Sequence, residues 1–164
     1  MDEARGRRYT LNSSPAVTRP QVLVLTLTTK DFEAARSRIA ANIKRTPLLT
    51  SRQLSERTGF DIRLKAEMFQ RVGSYKIRGP LNKFALMPEE QKRRGVVCSS
   101  AGNHAQGVAL AAQLHGIRAV VCMAENATPA KIAATRGYGA EVVLHGTIWD
   151  EANERRRSSS VTRA

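Results

Sequence analysis

Lys76 is the side chain best placed to do chemistry in this sequence. It lies in Gly73-Ser74-Tyr75-Lys76-Ile77-Arg78-Gly79, a small-residue turn directly behind an apolar, strand-like segment. A primary amine condenses with a carbonyl compound to a Schiff base only while it is neutral. Burial beside an aromatic ring and other cations lowers an ammonium pKa, and Tyr75, Arg71 and Arg78 offer that setting. The same seven residues also read as a plain helix start, with Ser74 as cap, Lys76 as a solvated first-turn residue and Gly73 as the turn. A second stretch, Ser99-Ser100-Ala101-Gly102-Asn103-His104-Ala105-Gln106-Gly107, lies between an apolar run and an amphipathic helix. There a glycine-opened helix start offers unpaired backbone N–H groups to an anion.

Taken with Glu67-Met68-Phe69-Gln70 ahead of them and Pro129-Ala130-Lys131-Ile132-Ala133-Ala134-Thr135-Arg136 behind, these two stretches carry a resemblance. From about Leu25 to about Glu154 the chain resembles the serine/threonine dehydratase (threonine ammonia-lyase) branch of the fold type II pyridoxal phosphate enzymes. The resemblance implies pyridoxal 5'-phosphate as cofactor, held as a Schiff base on Lys76, with Asn103 bonded to the ring hydroxyl. Tyr75 would lie against the ring, where the family more often has phenylalanine. The small-molecule amino-acid substrate would place its carboxylate on the segment Ser100, Ala101, Gly102, Asn103 and His104. Lys76, released from the cofactor, would take the Cα proton. The implied reaction is α,β-elimination, deaminating L-threonine (or serine) to a 2-oxo acid, 2-oxobutanoate from threonine, and ammonia. That reaction serves isoleucine biosynthesis and threonine catabolism in a cytoplasmic enzyme that is a homo-oligomer at full length.

Two alternatives stand beside that reading. A serine racemase-like enzyme of the same family needs a serine immediately before the glycine of GNH as a second base, and this chain has Ala101, which cannot accept a proton. A non-catalytic basic binding domain is the other. The formal net charge is +13, and the first twenty and last ten residues carry +2 and +4 of it, leaving +7 for residues 21–154. Those cations are interspersed with acids and lack the interleaved aromatics on which single-stranded nucleic acid stacks. Nucleic acid is therefore not the expected partner.

Of the three histidines, His104 near a helix start is read as orienting its loop, while His115 meets a helix C-terminus, where the dipole favours an imidazolium, and His145 ends a strand. The run Gly102 to Gly107 lacks the second glycine of a dinucleotide fingerprint. Cys98 and Cys122 form no metal spacing and read as buried, reduced thiols, so no metal is expected. No stretch approaches the roughly 20 apolar residues of a membrane span, and the charged start has no apolar stretch behind it to make a secretory signal.

The elements that must position Lys76 follow from pattern. A helix capped by Thr28 or Thr29 carries Phe32, Ala35, Ile39 and Ile43 at helical spacing and is stopped by Pro47. Ser51 opens a short helix closed by Gly59, and Ile62, Leu64 and Ala66 alternate as a strand. The turn Arg71-Val72-Gly73 launches the helix bearing Lys76, in which Pro80 demands a kink after Gly79 or impairs the chain. Apolar strands at Val96 to Cys98, Ala119 to Met123 and Val142 to Leu144 then alternate with helices from Pro88, from Asn103 to Leu114 and from Pro129 to Arg136. The expected fold is α/β, an open, mainly parallel sheet with helices on both faces, and the resemblance makes it the small domain of a fold type II enzyme plus part of the large one. The division is a disordered leader at 1–24, the N-terminal part of the large domain at 25–66, the small lysine-bearing domain at 67–154 and a tail outside the family pattern at 155–164. The abrupt Arg-Arg-Arg-Ser-Ser-Ser and the lack of any adjacent glycine pair, where the family uses a glycine-rich phosphate loop, give the expectation of a truncated, weakly active or inactive form.

Overall fold

Residues 27–157 and 162–163 are described by the computed structural model, so the leader expected at 1–24 lies outside them. Helix α1, Thr29–Ile39, starts where the sequence places it. Asp31 Oδ2 accepts from both the backbone N–H and the hydroxyl of Thr28, each at 2.7 Å. It ends earlier than the apolar spacing suggests: Ala40–Asn42 tightens into a 3₁₀ turn and Ile43 is already extended, ahead of Pro47. Only Ile39 of the expected stripe is fully buried, and Phe32 is 64% exposed.

Strands β1, Leu48–Thr50, and β2, Arg63–Lys65, pair antiparallel with Leu49 opposite Leu64, and helix α2, Arg52–Thr58, joins them. The alternation read over Ile62, Leu64 and Ala66 survives as a three-residue strand whose members are all exposed, while Ala66 behind it is fully buried. This two-stranded unit is separate from the main sheet.

After 3₁₀ turns at Glu67–Phe69, Arg71–Gly73 and Tyr75–Ile77, helix α3 spans Arg78–Ala85. Lys76 thus sits in the turn that leads into α3, not on the helix. Pro80 is the third residue of α3, where the N–H it lacks would have had no intrahelical acceptor. The expected kink is not needed, and the ring is buried.

Helix α4, Glu89–Arg94, leads to β3, Val96–Ser99; α5, Asn103–Leu114, to β4, Ala119–Met123; and α6, Pro129–Gly137, to β5, Glu141–Leu144. Helix α7, Trp149–Arg157, and the short β6, Thr162–Arg163, complete the described chain. The sheet runs β5-β4-β3-β6, parallel throughout, with Val96 opposite Ala119 and Val120 opposite Glu141. Continuous apolar strands mean both faces are covered. Val96, Cys98, Val121 and Met123 pack with Ile77, Leu81, Phe84 and Val108 on one side. Val97, Val120 and Cys122 meet Ala152 of α7 on the other. The two cysteines are therefore reduced, buried and on opposite faces, and burial pushes the thiol of Cys98 up to about 12. Helix α7 carries Arg156 and Arg157, buries Ala152 and Asn153, and is followed by β6 beside β3, where Thr162 pairs with Val96.

Candidate active site

The lysine segment is built on a polar clasp. The side chain of Gln70 is 4% exposed. Its Oε1 accepts from the Lys44 N–H at 2.8 Å and the Arg71 N–H at 3.0 Å, while its Nε2 donates to the Lys44 carbonyl at 2.7 Å. One side chain so joins the loop after α1 to the turn before Lys76, across 26 residues. A Gln70→Ala chain leaves those backbone groups unpaired where water barely reaches, and is expected to lose about 2–3 kcal/mol in a urea titration.

Arg78 reaches back to Glu67 as a fork, with Nε donating to Oε2 and Nη2 to Oε1, both at 2.8 Å, and the Thr46 hydroxyl adds a third bond to Oε1 at 2.6 Å. The Arg78 guanidinium, outweighing the burial that opposes it, holds the Glu67 carboxyl down at about 2 against an ordinary 4.5. A depressed carboxyl stabilises the fold fully above its unfolded pKa and loses that contribution as the pH falls through the folded one. Stability should therefore fall between about pH 4.5 and pH 2 by on the order of 1–3 kcal/mol, and a Glu67→Gln chain should show a shallower decline over the same window in chemical unfolding.

Val72 adopts φ 58° and Gly73 φ 65°, so the chain turns sharply just before Ser74. A β-branched residue there costs about 1–3 kcal/mol, offset by Val72 packing against the core. Ser74 then caps the next turn, its hydroxyl accepting from the Lys76 N–H at 3.3 Å.

The Lys76 side chain does not have the burial the sequence suggested. It is exposed, with Nζ 5.0 Å from the centroid of the Tyr75 ring, itself 58% exposed. Nor do the two arginines crowd it: Arg78 is engaged by Glu67, and Arg71 donates to the Asn42 carbonyl at 3.2 Å. The aromatic neighbour is present, while both guanidinium groups are bonded to other partners.

What brings the two motifs together is Gly107. A Cβ there would stand 2.9 Å from the Lys76 carbonyl oxygen and 3.0 Å from its carbon, so α5 touches the lysine's own backbone. Asn103, the first residue of α5, shares that helix face one turn earlier, about 6 Å along the axis. Tyr75, Lys76 and His104 line one cavity of about 380 Å³ with Arg78, Gly79, Pro80, Lys83, Phe84 and Val108. Asn103, Ser100 and Gly102 are not among its lining residues, and Ala101 lines a different hollow of about 340 Å³ beside β3 and β4. The Ser100 hydroxyl accepts from the Gly102 N–H at 3.3 Å, stiffening the loop. His104 is half-buried, and burial first, then the charges on Lys76 and Lys83, push its imidazole below the usual range. His115 goes the same way through burial and Lys92, so desolvation outweighs the helix dipole expected to favour its charged form. Sequence reading gave no part to Lys83, or to the Glu67 and Gln70 bonds. Both acceptors stood in the quoted EMFQ run, but no periodicity links residues joined through 3₁₀ turns.

A parallel sheet covered on both faces, with an amine-bearing cavity against the helix that follows its central strand, defines a class. The family model described as pyridoxal-phosphate dependent enzyme matches residues 39–163, and the chain belongs to that family. The L-threonine ammonia-lyase of Thermotoga maritima is 51% identical over 128 residues, 78% of this chain and 32% of that protein. Among solved structures, the threonine deaminase of Solanum lycopersicum (isoform 2, processed form) is 34% identical with a TM-score of 0.69, over 84% of this chain and 43% of that one. Maize serine racemase is 32% identical with a TM-score of 0.73, over 80% and 41%. The chain spans about a third of the length of the curated relatives it matches.

The cavity suits such a cofactor in part. Two primary amines, Lys76 and Lys83, line it, and the Lys76 amine lies 5.0 Å from the centroid of the Tyr75 ring; an amine beside an aromatic face is the chemistry an aldehyde-bearing ring needs. Among the described residues no glycine-rich loop offers a phosphate cradle.

Proposed function

We propose that the chain carries the lysine-bearing part of a pyridoxal phosphate-dependent threonine (serine) dehydratase, deaminating L-threonine to 2-oxobutanoate and ammonia. The observation that supports it best is the contact of Gly107 with the Lys76 backbone, which sets the lysine motif one turn from Asn103. The roughly 50% identity to an L-threonine ammonia-lyase supports the substrate class. When bound, the cofactor draws electrons from the substrate carbon next to nitrogen, and the protein supplies position and charge.

In this reading the Lys76 amine would hold the cofactor through its aldehyde and, when free, would accept the Cα proton. The Tyr75 ring would supply an aromatic face for the cofactor, and the Asn103 amide would bond its ring hydroxyl. The substrate carboxylate rests on the segment Ser100, Ala101, Gly102, Asn103 and His104, where the first-turn N–H groups of α5 and its dipole favour negative charge. Ala101 offers no second base, which favours elimination over racemisation even though serine racemases share the fold.

The domain division at residue 66 is part of this proposal and is supported by the separate β1–β2 unit. Exposed Leu48, Leu49, Phe60 and Leu64 support assembly into a homo-oligomer. Two reduced, buried cysteines support a cytoplasmic setting, and among the described residues no helix is long and apolar enough to cross a membrane. The product would feed isoleucine synthesis or threonine catabolism.

The test is to incubate the chain with pyridoxal phosphate, reduce with borohydride and map the modified peptide by mass. Modification at Lys76, out of all lysines, is the expected result. Label spread evenly over surface lysines, or none at Lys76, would overturn the reading.

A further inference from the structure

Beside the lysine cavity lies a second concavity with a strong charge bias. It encloses about 490 Å³ between the end of α1, the loop that follows and the turn before α3. Five cations line it, Arg36, Lys44, Arg45, Lys65 and Arg78, against the single carboxylate of Glu67. The Glu67 charge is already spent on the Arg78 fork, and Lys65 Nζ donates to the Thr46 carbonyl at 2.6 Å. The side chains of Arg36, Lys44 and Arg45 have no acidic partner among the described residues, so their donors remain for something else.

Three further features make this more than a charged surface. The Gln70 clasp fixes the Lys44 backbone through two bonds, so the cations are carried on a fixed loop. Ala40, Ile43 and the Tyr75 ring give the hollow an apolar wall. Its volume falls within the range of small-molecule sites. Guanidinium and ammonium groups converging in a concave site recognise multiply charged oxyanions, phosphates above all.

We propose that this cavity is a binding site for a small phosphorylated organic anion, separate from the lysine cavity with which it shares Tyr75 and Arg78 as a wall. The phosphoryl oxygens meet Lys44, Arg45 and Arg36, and the organic part lies on Ile43 and Tyr75. This does not depend on the dehydratase reading, because no step of it uses the Lys76 amine.

Titration calorimetry with phenyl phosphate and with inorganic phosphate, at fixed ionic strength, tests it. Phenyl phosphate should bind with saturation at one site, several-fold tighter than inorganic phosphate. The double change Lys44→Glu with Arg45→Glu should weaken it at least about tenfold, since it removes two charge-assisted donors and puts like charge in their place. Both side chains reach solvent at the cavity wall, so the fold should survive, with unchanged circular dichroism as the check. Lys131→Glu, on the exposed surface of α6, and Lys76→Ala should both bind as the parent does.

Equal affinity for the two anions would overturn the organic part of the proposal. Loss in Lys76→Ala would move the anion to the lysine cavity, and equal loss in Lys131→Glu would reduce the effect to net charge; either overturns it. Failure to bind phenyl phosphate, with a thymidine oligonucleotide retained until Lys44 and Arg45 are reversed, would make the surface a nucleic-acid contact instead.

Discussion

A Lys76→Ala chain is expected to lose all site-specific capture of pyridoxal phosphate while keeping its stability. The two halves of that expectation rest on different observations. Capture needs a primary amine at the cavity wall, and no other group supplies the same covalent bond. Lys83 lines the same cavity and is the natural competitor. Lys83, however, is on α3 rather than in the turn that Gly107 touches. Lys83→Ala should therefore retain the Lys76 label, and Lys76→Ala should not pass its label to Lys83. Stability should hardly move, because the Lys76 side chain is exposed, and exposed substitutions usually stay within about 0.5 kcal/mol. Borohydride fixation followed by peptide mass mapping reads the first half and a urea titration the second. A stable variant that still takes label at the same stoichiometry would remove Lys76 from the site.

The second large effect is expected from Gly107→Ala. Two terms oppose each other. Alanine is a better helix former than glycine by about 1 kcal/mol, which would stabilise a free helix. Here the new methyl would stand 2.9 Å from the Lys76 carbonyl oxygen and 3.0 Å from its carbon. These are backbone atoms and cannot swing aside as a side chain would. Overpacking of this kind costs about 1–3 kcal/mol, so a net loss of up to about 2 kcal/mol is expected, with the Tyr75–Ile77 turn pushed off α5. Label at Lys76 should slow with it. Gly137→Ala is the internal comparison, since a Cβ there meets nothing within 4 Å and the residue belongs to α6. That change should stabilise by up to about 1 kcal/mol. If Gly107→Ala behaved like Gly137→Ala, the close approach of the two motifs would be wrong.

Much of this arrangement was legible in the chain. The helix from Asn103 to Leu114 and the strand from Ala119 to Met123 are found at the residues expected, because unbroken apolar runs bounded by glycine leave few alternatives. The early helix was read too long because spacing alone cannot tell that Ala40–Asn42 tightens into a 3₁₀ turn with Ile43 extended after it. The exposure of Lys76 was illegible for a related reason: burial depends on what covers a residue, and the heptapeptide holds only what flanks it. The Glu67 fork and the Gln70 clasp escaped because partners 11 and 26 residues apart, joined through 3₁₀ turns, leave no repeating signature. Pro80 looked like a defect only while the helix was taken to begin before Lys76.

The sheet also carries a pair of internal clocks. Cys98 and Cys122 occupy neighbouring strands yet look into different compartments, the first shared with α5 and the second with α7. Neither can be alkylated without an opening event, since the reactive species is a thiolate, both sulfurs are buried, and the Cys98 proton is held until about pH 12. The rate at which each sulfur takes up a reagent therefore times the loosening of its own side of the sheet. Equal rates would mean that the layers come apart together, and unequal ones would tell which layer leaves first.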